Sequence, residues 1–261
     1  MDNYTLKGKD KLYLLPLGDV HLGNPECNIE YLQYWKEMVS RIKNPKRIIL
    51  MGDLIETASK KVGNSAFKQE FDVNQQIDWI VQFLKPLKDD IVYSCHGNHD
   101  YLRVSKEFDL NISKLIADYL GCPSGDQYLE TFLVNDEPFT VYARHGKGSN
   151  AYAHLAQGRI QRETQTITSN LYLEGHNHRL DFFSVPLRTV NGLSRKYYAF
   201  TGAFLNYGVN GYPSQMFLPV LPPAFQFITL DKHSNLSNIP YFVDQRRPDL
   251  MDSFLQPVTA K

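Results

Sequence analysis

Five apolar stretches of strand length in this chain each stop on a carboxylate, an amide or an imidazole, and this recurrence limits what the chain can fold into more than any other feature. Residues 11–17 run into Gly18-Asp19-Val20-His21, and residues 47–51 into Gly52-Asp53. Residues 91–95 lead to His96-Gly97-Asn98-His99-Asp100, residues 139–143 to Arg144-His145-Gly146, and residues 171–173 to Glu174-Gly175-His176-Asn177-His178. A short apolar run closed by a polar turn reads as a buried strand, and loops at strand ends commonly carry chemistry. Five of the eight histidines, His21, His99, His145, His176 and His178, fall in the motifs Asp19-x-His21, Asn98-His99-Asp100, His145 and His176-x-His178 that close these runs, far more than chance placement would put there. In extended chain, residues i and i+2 face the same way, so Asp19 and His21 are expected to share one ligand.

Between these strands lie helical periods. Ile29, Leu32, Trp35, Val39 and Ile42 predict a helix over 29–42 that packs on a sheet, ended by Asn44-Pro45. A second helix is expected over 74–87, capped by Asn74, with Ile77, Ile80, Val81 and Leu84 on one face. A third is expected over 109–120, closed by Gly121. The polar segment 56–71 reads as a long loop beside the site, carrying Lys60, Lys61 and Lys68. Beyond it come a hairpin over 128–143 turning at 135–138, a helix over 151–160, and strands over 181–189, 195–201 and 224–230, with Asn191-Gly192 as a hairpin turn. The expected organisation is one domain over 1–261, with 224–261 a peripheral strand and C-terminal arm.

With 28 basic and 28 acidic residues, no global field draws the chain to nucleic acid or membrane, so any such binding must rest on a local patch. Cys27, Cys95 and Cys122 are odd in number and lack CxxC spacing, which excludes a disulfide framework and a thiolate zinc site. The expected setting is the cytoplasm, with no membrane partner and an open oligomeric state.

Nitrogen and oxygen donors without sulfur suit borderline divalent ions, and the donors at the five strand ends are too many for one tetrahedral site. The order GDxH, GD, GNHD, HG, GHxH resembles the calcineurin-like metallophosphoesterases, over a span from Asp19 to His178 that is about two thirds of the chain. The resemblance implies an α/β fold, a four-layer sandwich of two mixed β-sheets flanked by helices. It implies that Asp19, His21 and His178 hold one metal, that Asn98, His145 and His176 hold a second, and that Asp53 bridges them. His99, paired with Asp100, would be the histidine that protonates the leaving oxygen without binding metal.

Two metals roughly 3.5–4 Å apart clamp a phosphate and generate hydroxide near neutral pH, so no side-chain nucleophile is needed. The expected cofactor is therefore two divalent ions, Mn first and Fe, Zn, Co or Ni as alternatives. Arg103 and Arg144 are the candidates for holding phosphate oxygens. The stretch from Arg188 to Tyr212, with Arg195, Lys196, Tyr197, Tyr198, Phe204 and Tyr207, is a candidate platform for bases, against a plainer reading as strand core and solvated charge. The substrate is accordingly expected to be a phosphodiester, of a nucleotide or nucleic acid. Leu-Ile-Glu after Asp53 and GNHD rather than GNHE depart from the phosphoprotein phosphatases. A phosphomonoesterase and a non-catalytic scaffold of the same fold stay open as alternatives.

Overall fold

The computed structural model describes residues 3–58, 69–148, 152–190, 192–206 and 221–242. In chain order the elements are β1 (Asn3–Tyr4), β2 (Lys11–Leu17), α1 (Ile29–Arg41), β3 (Lys46–Leu50), α2 (Val73–Leu84), β4 (Ile91–Cys95), α3 (Arg103–Phe108), α4 (Ile112–Leu120), β5 (Ser124–Gly125) and β6 (Gln127–Val134). They continue with β7 (Glu137–Arg144), α5 (Ala153–Glu163), β8 (Leu171–Glu174), β9 (Leu180–Thr189), β10 (Gly192–Ala203), β11 (Ala224–Asp231) and β12 (Leu236–Phe242).

These strands form two mixed sheets. One has the order β1-β6-β7-β8-β10 with β9 on the far edge of β10, and the other has β11-β2-β3-β4-β5 with β12 on β11. They join at one corner, where the last two residues of β10 leave the first sheet and pair with the start of β11. Gly202 makes that corner: its φ is +83°, and a Cβ there would lie 2.0 Å from the Ala224 carbonyl oxygen. No L side chain fits so close to a neighbouring backbone.

Burial follows from the strand patterns. Leu12, Leu14 and Ile49 of one sheet meet Phe132, Val141, Leu171 and Ala199 of the other in a shared apolar layer. The outer face of the second sheet is covered by α1, α2 and α4 through Trp35, Ile80 and Ile116, and α5 covers the outer face of the first through Ala156 and Ile160. The result is the expected four-layer sandwich. Trp35 is fully buried, and its replacement by Ala would cost roughly 3–5 kcal/mol through lost transfer energy and the cavity left behind.

Several boundaries differ from the sequence expectation. The cap of α2 is Asp72, in a reciprocal box with Gln75, and Asn74 lies inside the first turn. The segment 98–108 is helical, first as a wide π-type turn over 98–102 and then as α3, while Asn111 caps a shorter α4. The β6–β7 turn is two residues, Asn135-Asp136, both at positive φ, so Glu137 and Pro138 belong to the strand. Positive φ at both turn positions matches the right-handed twist of the flanking strands, which favours so short a connection. β11 is central rather than peripheral, because its apolar run is covered on both faces and it pairs with β2, β10 and β12. The lysines of the polar loop, Asn191 and the chain from 243 onward lie outside the described residues. The three cysteines are unpaired thiols. Among the described residues no helix is long and apolar enough to cross a membrane.

Candidate metal centre

Parallel pairing of β2 with β3, of β3 with β4, and of β7 with β8 aligns the strand ends within each sheet, and all five come together on one side of the sandwich. The turns after β2 and β3 are then zipped together by backbone hydrogen bonds. Asp19 N–H donates to the Gly52 carbonyl at 3.0 Å, and the N–H groups of Val20 and His21 donate to the Asp53 carbonyl at 2.9 and 3.0 Å. Asp19, His21, Asp53, His176 and His178 all have φ between +49° and +66°. The side chains of the D-x-H and H-x-H pairs therefore converge through left-handed backbone and not through extended chain. Each such residue costs about 1–2 kcal/mol, a cost borne only where surrounding contacts enforce it.

The donors form two groups. His21 Nε2 is 3.2 Å from His178 Nε2, which is 3.5 Å from Asp19 Oδ1. Asn98 Oδ1 lies 2.9 Å from His145 Nε2 and 2.7 Å from His176 Nδ1, and those two nitrogens are 3.2 Å apart. Between the groups sits Asp53, whose Oδ2 is 3.2 Å from His145 Nε2 and 3.8 Å from His21 Nε2. Ligand atoms about 2.0–2.1 Å from one ion are separated by roughly 3.0–3.4 Å, so the spacings fit a shared cation in each group. The outer nitrogens are also held: His145 Nδ1 faces the Met51 carbonyl at 2.8 Å and His21 Nδ1 faces Glu56 Oε2 at 3.0 Å. Such bonds fix the tautomer that leaves the inward nitrogen as a donor to metal.

Charge is unevenly shared here. Burial raises the Asp19 carboxyl to about 7. Asp53 is equally buried, yet His145 beside it, with His99 and His21, holds it well below the usual carboxylate range. Burial opposes charge on His145, but Asp53 outweighs it and lifts that imidazole to about 10. Burial and the charge of His145 push His176 down to about 4, and burial with His21 lowers His178. Anionic Asp53 and neutral His176 and His178 are the forms that bind metal.

His99 stands close enough to His21 and Asp53 to form a third donor cluster with them, but its ring is engaged elsewhere. Its ring nitrogens are occupied: Nδ1 faces Glu56 through the carbonyl at 3.1 Å and Oε1 at 3.2 Å, and Nε2 is 3.0 Å from Arg103 Nη2. The expected pairing of His99 with Asp100 is therefore corrected. Asp100 is buried and accepts from Gly97 N–H, Leu54 N–H and the Ser113 hydroxyl, so it braces the turn from below. Gly97 packs on Asp53 at a distance no Cβ could enter, with 2.2 Å to the Asp53 nitrogen. Glu56 is the carboxylate that contacts His21, His99 and Arg103 together. Burial opposes its charge, but hydrogen bonds from His21 and His99 hold it below the carboxylate range. Gln76, fully buried in α2, places it by accepting from the N–H groups of Glu56 and Thr57.

The two arginines part company. Arg103 reaches His99, whereas the Arg144 guanidinium is taken up by Glu174 at 2.6–2.9 Å and by Glu163 at 2.6 Å. Glu174 is fully buried and also accepts from Arg159, so Arg144 belongs to a neutralised cluster beneath His145 and His176. The basic and aromatic stretch is likewise not at the centre. Arg195 pairs with Pro186 and Tyr197 with Ser184, far along the hairpin from its site end at Leu180 and Thr201. Tyr198 stacks on Tyr172 and Phe183 in the core, and Phe204 is buried, so the plainer reading holds for the described part; Tyr207 and Tyr212 lie outside it.

A family model for calcineurin-like phosphoesterases matches residues 14–192, more than half of the chain. The chain belongs to this family. No curated protein sequence matches it. Among solved structures it is similar to vacuolar protein sorting 29 from Cryptosporidium parvum, at 13% identity and TM-score 0.44, over 89% of this chain and 99% of that one. It is also similar to a metallophosphoesterase from Sphaerobacter thermophilus, at 13% identity and TM-score 0.45, over 95% and 96%. A third is Pseudomonas putida nuclease MPE, at 14% identity and TM-score 0.37, over 82% and 83%.

Within this family member, Glu56 and Gln76 are the site residues that the strand-end pattern missed. Glu56 sits three residues past Asp53 in a polar segment, and Gln76 is a polar residue on the apolar face of α2 between Val73 and Ile77. A fully buried glutamine inside an apolar stripe is a signal, since it must find partners for its amide.

Proposed function

We propose that this chain is a phosphoester hydrolase acting on phosphodiesters at a centre of two divalent ions, and the placing of Asp53 between the cluster Asp19-His21-His178 and the pair His145-His176 is the observation that carries the reading. Asp19, His21 and His178 would hold one ion, and Asn98, His145 and His176 the other, with Asp53 shared. The all-nitrogen-and-oxygen set favours Mn, with Fe, Zn, Co and Ni as alternatives. Bound there, the ions would neutralise the phosphate and supply hydroxide near neutral pH.

The chain's own residues do the rest. Glu56 orients His99 through Nδ1, leaving Nε2 turned to Arg103. A substrate phosphate drawn to Arg103 competes for that contact and frees Nε2 to carry the proton that the leaving oxygen takes. Arg144 is held at 2.6 Å by each of two glutamates, whereas Arg103 is 3.4 Å from one carboxylate, Glu56, so Arg103 is the looser-held cation of the two candidates, which suits the single charge of a diester better than the double charge of a monoester. The test is hydrolysis of bis(p-nitrophenyl) phosphate and p-nitrophenyl phosphate with Mn, with and without chelator. Higher kcat/KM on the diester, lost in chelator, is expected. A clear preference for the monoester would make the chain a phosphomonoesterase, and activity intact in chelator would remove the metal reading.

A further inference from the structure

The stretch around Arg195 and Tyr197 has no place at the metal centre, but it borders a gap in the first sheet. β8 begins at Leu171, level with Val141 of β7 and Tyr197 of β10. Beyond that level β7 continues through residues 137–140 and β10 through 192–196, with no strand between them among the described residues. Neighbouring strands lie about 4.8 Å apart, so a slot roughly 10 Å wide separates β7 from β10. Asn170 closes its inner end, accepting from Thr140 N–H through Oδ1 and from Tyr197 N–H through its carbonyl, both at 2.8 Å. The β11–β12 turn forms the outer wall, and Asn135 locks it by donating to the Lys232 carbonyl at 2.9 Å. The open cleft so bounded has a volume of about 600 Å³, within the range of small-molecule sites.

Its lining has a consistent chemistry. Arg195, Lys232 and His233 line it together with one carboxylate, Glu137. Arg195 is steadied by a 2.9 Å bond from Nη1 to Ser184 Oγ. Because backbone direction alternates along a strand, the N–H and C=O groups of Leu193 and Arg195 both point into the slot on the side of Tyr197 N–H, so the backbone offers donors and acceptors there. Positive charge from Arg195 and Lys232, next to the apolar surface of Leu193, Pro138 and Tyr197, matches an anion that carries a sizeable organic part. The cavity is too large for a bare inorganic anion alone. Along β7 it lies roughly 23 Å from Arg144, at the opposite pole from the metal centre.

We propose that this slot is a second ligand site, for an organic phosphate whose anionic head meets Arg195 and Lys232. It is independent of the phosphoesterase reading. The experiment titrates the full chain with AMP, inorganic phosphate and adenosine by calorimetry, for the native sequence, Arg195→Ala and Lys232→Ala. AMP is expected to bind more tightly than phosphate or adenosine, and each substitution to weaken it by about tenfold or more, the size of one lost charge-assisted contact. Hydrolysis of bis(p-nitrophenyl) phosphate should stay within about twofold in both variants, since distant sites act independently. AMP binding untouched by either substitution, adenosine binding as well as AMP, or no binding of AMP at all would overturn the proposal.

Discussion

At the carboxyl ends of β2, β3 and β8, five functional side chains are held in left-handed backbone and charge is buried, whereas at the opposite ends of the first sheet cations stand in solvent around a slot. Positive φ occurs at both poles. At Asn135-Asp136 it is the ordinary requirement of a two-residue hairpin, and both residue types tolerate it. At His21, His176 and His178 no turn of that kind demands it, and histidine gains nothing from it locally. Left-handed backbone and desolvated charge coincide where side chains converge on one point, whereas at the slot the left-handed residues, Asn135, Asp136 and Ser234, belong to hairpin turns and the charges stay in solvent.

The largest expected effect, and the hardest test of this contrast, is Asp53→Asn. It removes the charge shared by both donor groups, so metal analysis should find both ions lost and hydrolysis reduced to the level seen in chelator. One ion retained at full occupancy would mean that Asp53 serves a single group. His99→Gln should instead keep both ions and lose roughly 10²–10⁴ in rate, as removal of a general acid does. Glu56→Gln should lose less, about 10–100-fold, because it acts through His21 and His99. Metal content that falls with His99 would make that residue a ligand.

Asp100→Asn is expected to register as stability. Leaving one of its buried partners unsatisfied costs about 1–3 kcal/mol, readable as a lower midpoint in urea unfolding, with a smaller loss of rate than His99→Gln. Unchanged unfolding together with a His99-sized loss of rate would return Asp100 to the chemistry. Smallest of all is Tyr197→Ala at the far pole, for which kcat/KM on an aryl diester should move by no more than about twofold. A larger loss there would mean that substrate reaches along the sheet and that the two poles work together.

Much of the centre was legible in the linear chain because catalytic loops at strand ends leave a local signature. An apolar run followed by Gly-Asp, Gly-Asn-His-Asp or Gly-His-x-His shows both the strand and the donor, and the three-dimensional arrangement brings those donors into overlapping clusters that share His21 and Asp53. The misassigned partners have the opposite property. Asp100 is adjacent to His99 in sequence, yet the wide helical turn over 98–102 points its carboxylate down to Gly97, Leu54 and Ser113, while Glu56, 43 residues earlier, arrives beside the ring.

The sequence by itself determined the strand ends, the donor types, the family and the covering helices, since each is written in local periodicity and residue chemistry. Only the tertiary structure decided that Glu56 serves His99, that Arg144 is spent on Glu174 and Glu163, that β11 is central, and that Arg195 lies at the far pole. The reason is that these depend on strand order and on which way a side chain turns from its backbone, and pairing between distant segments sets both. A residue's type states what it can bind; its neighbours across the fold decide what it has already bound.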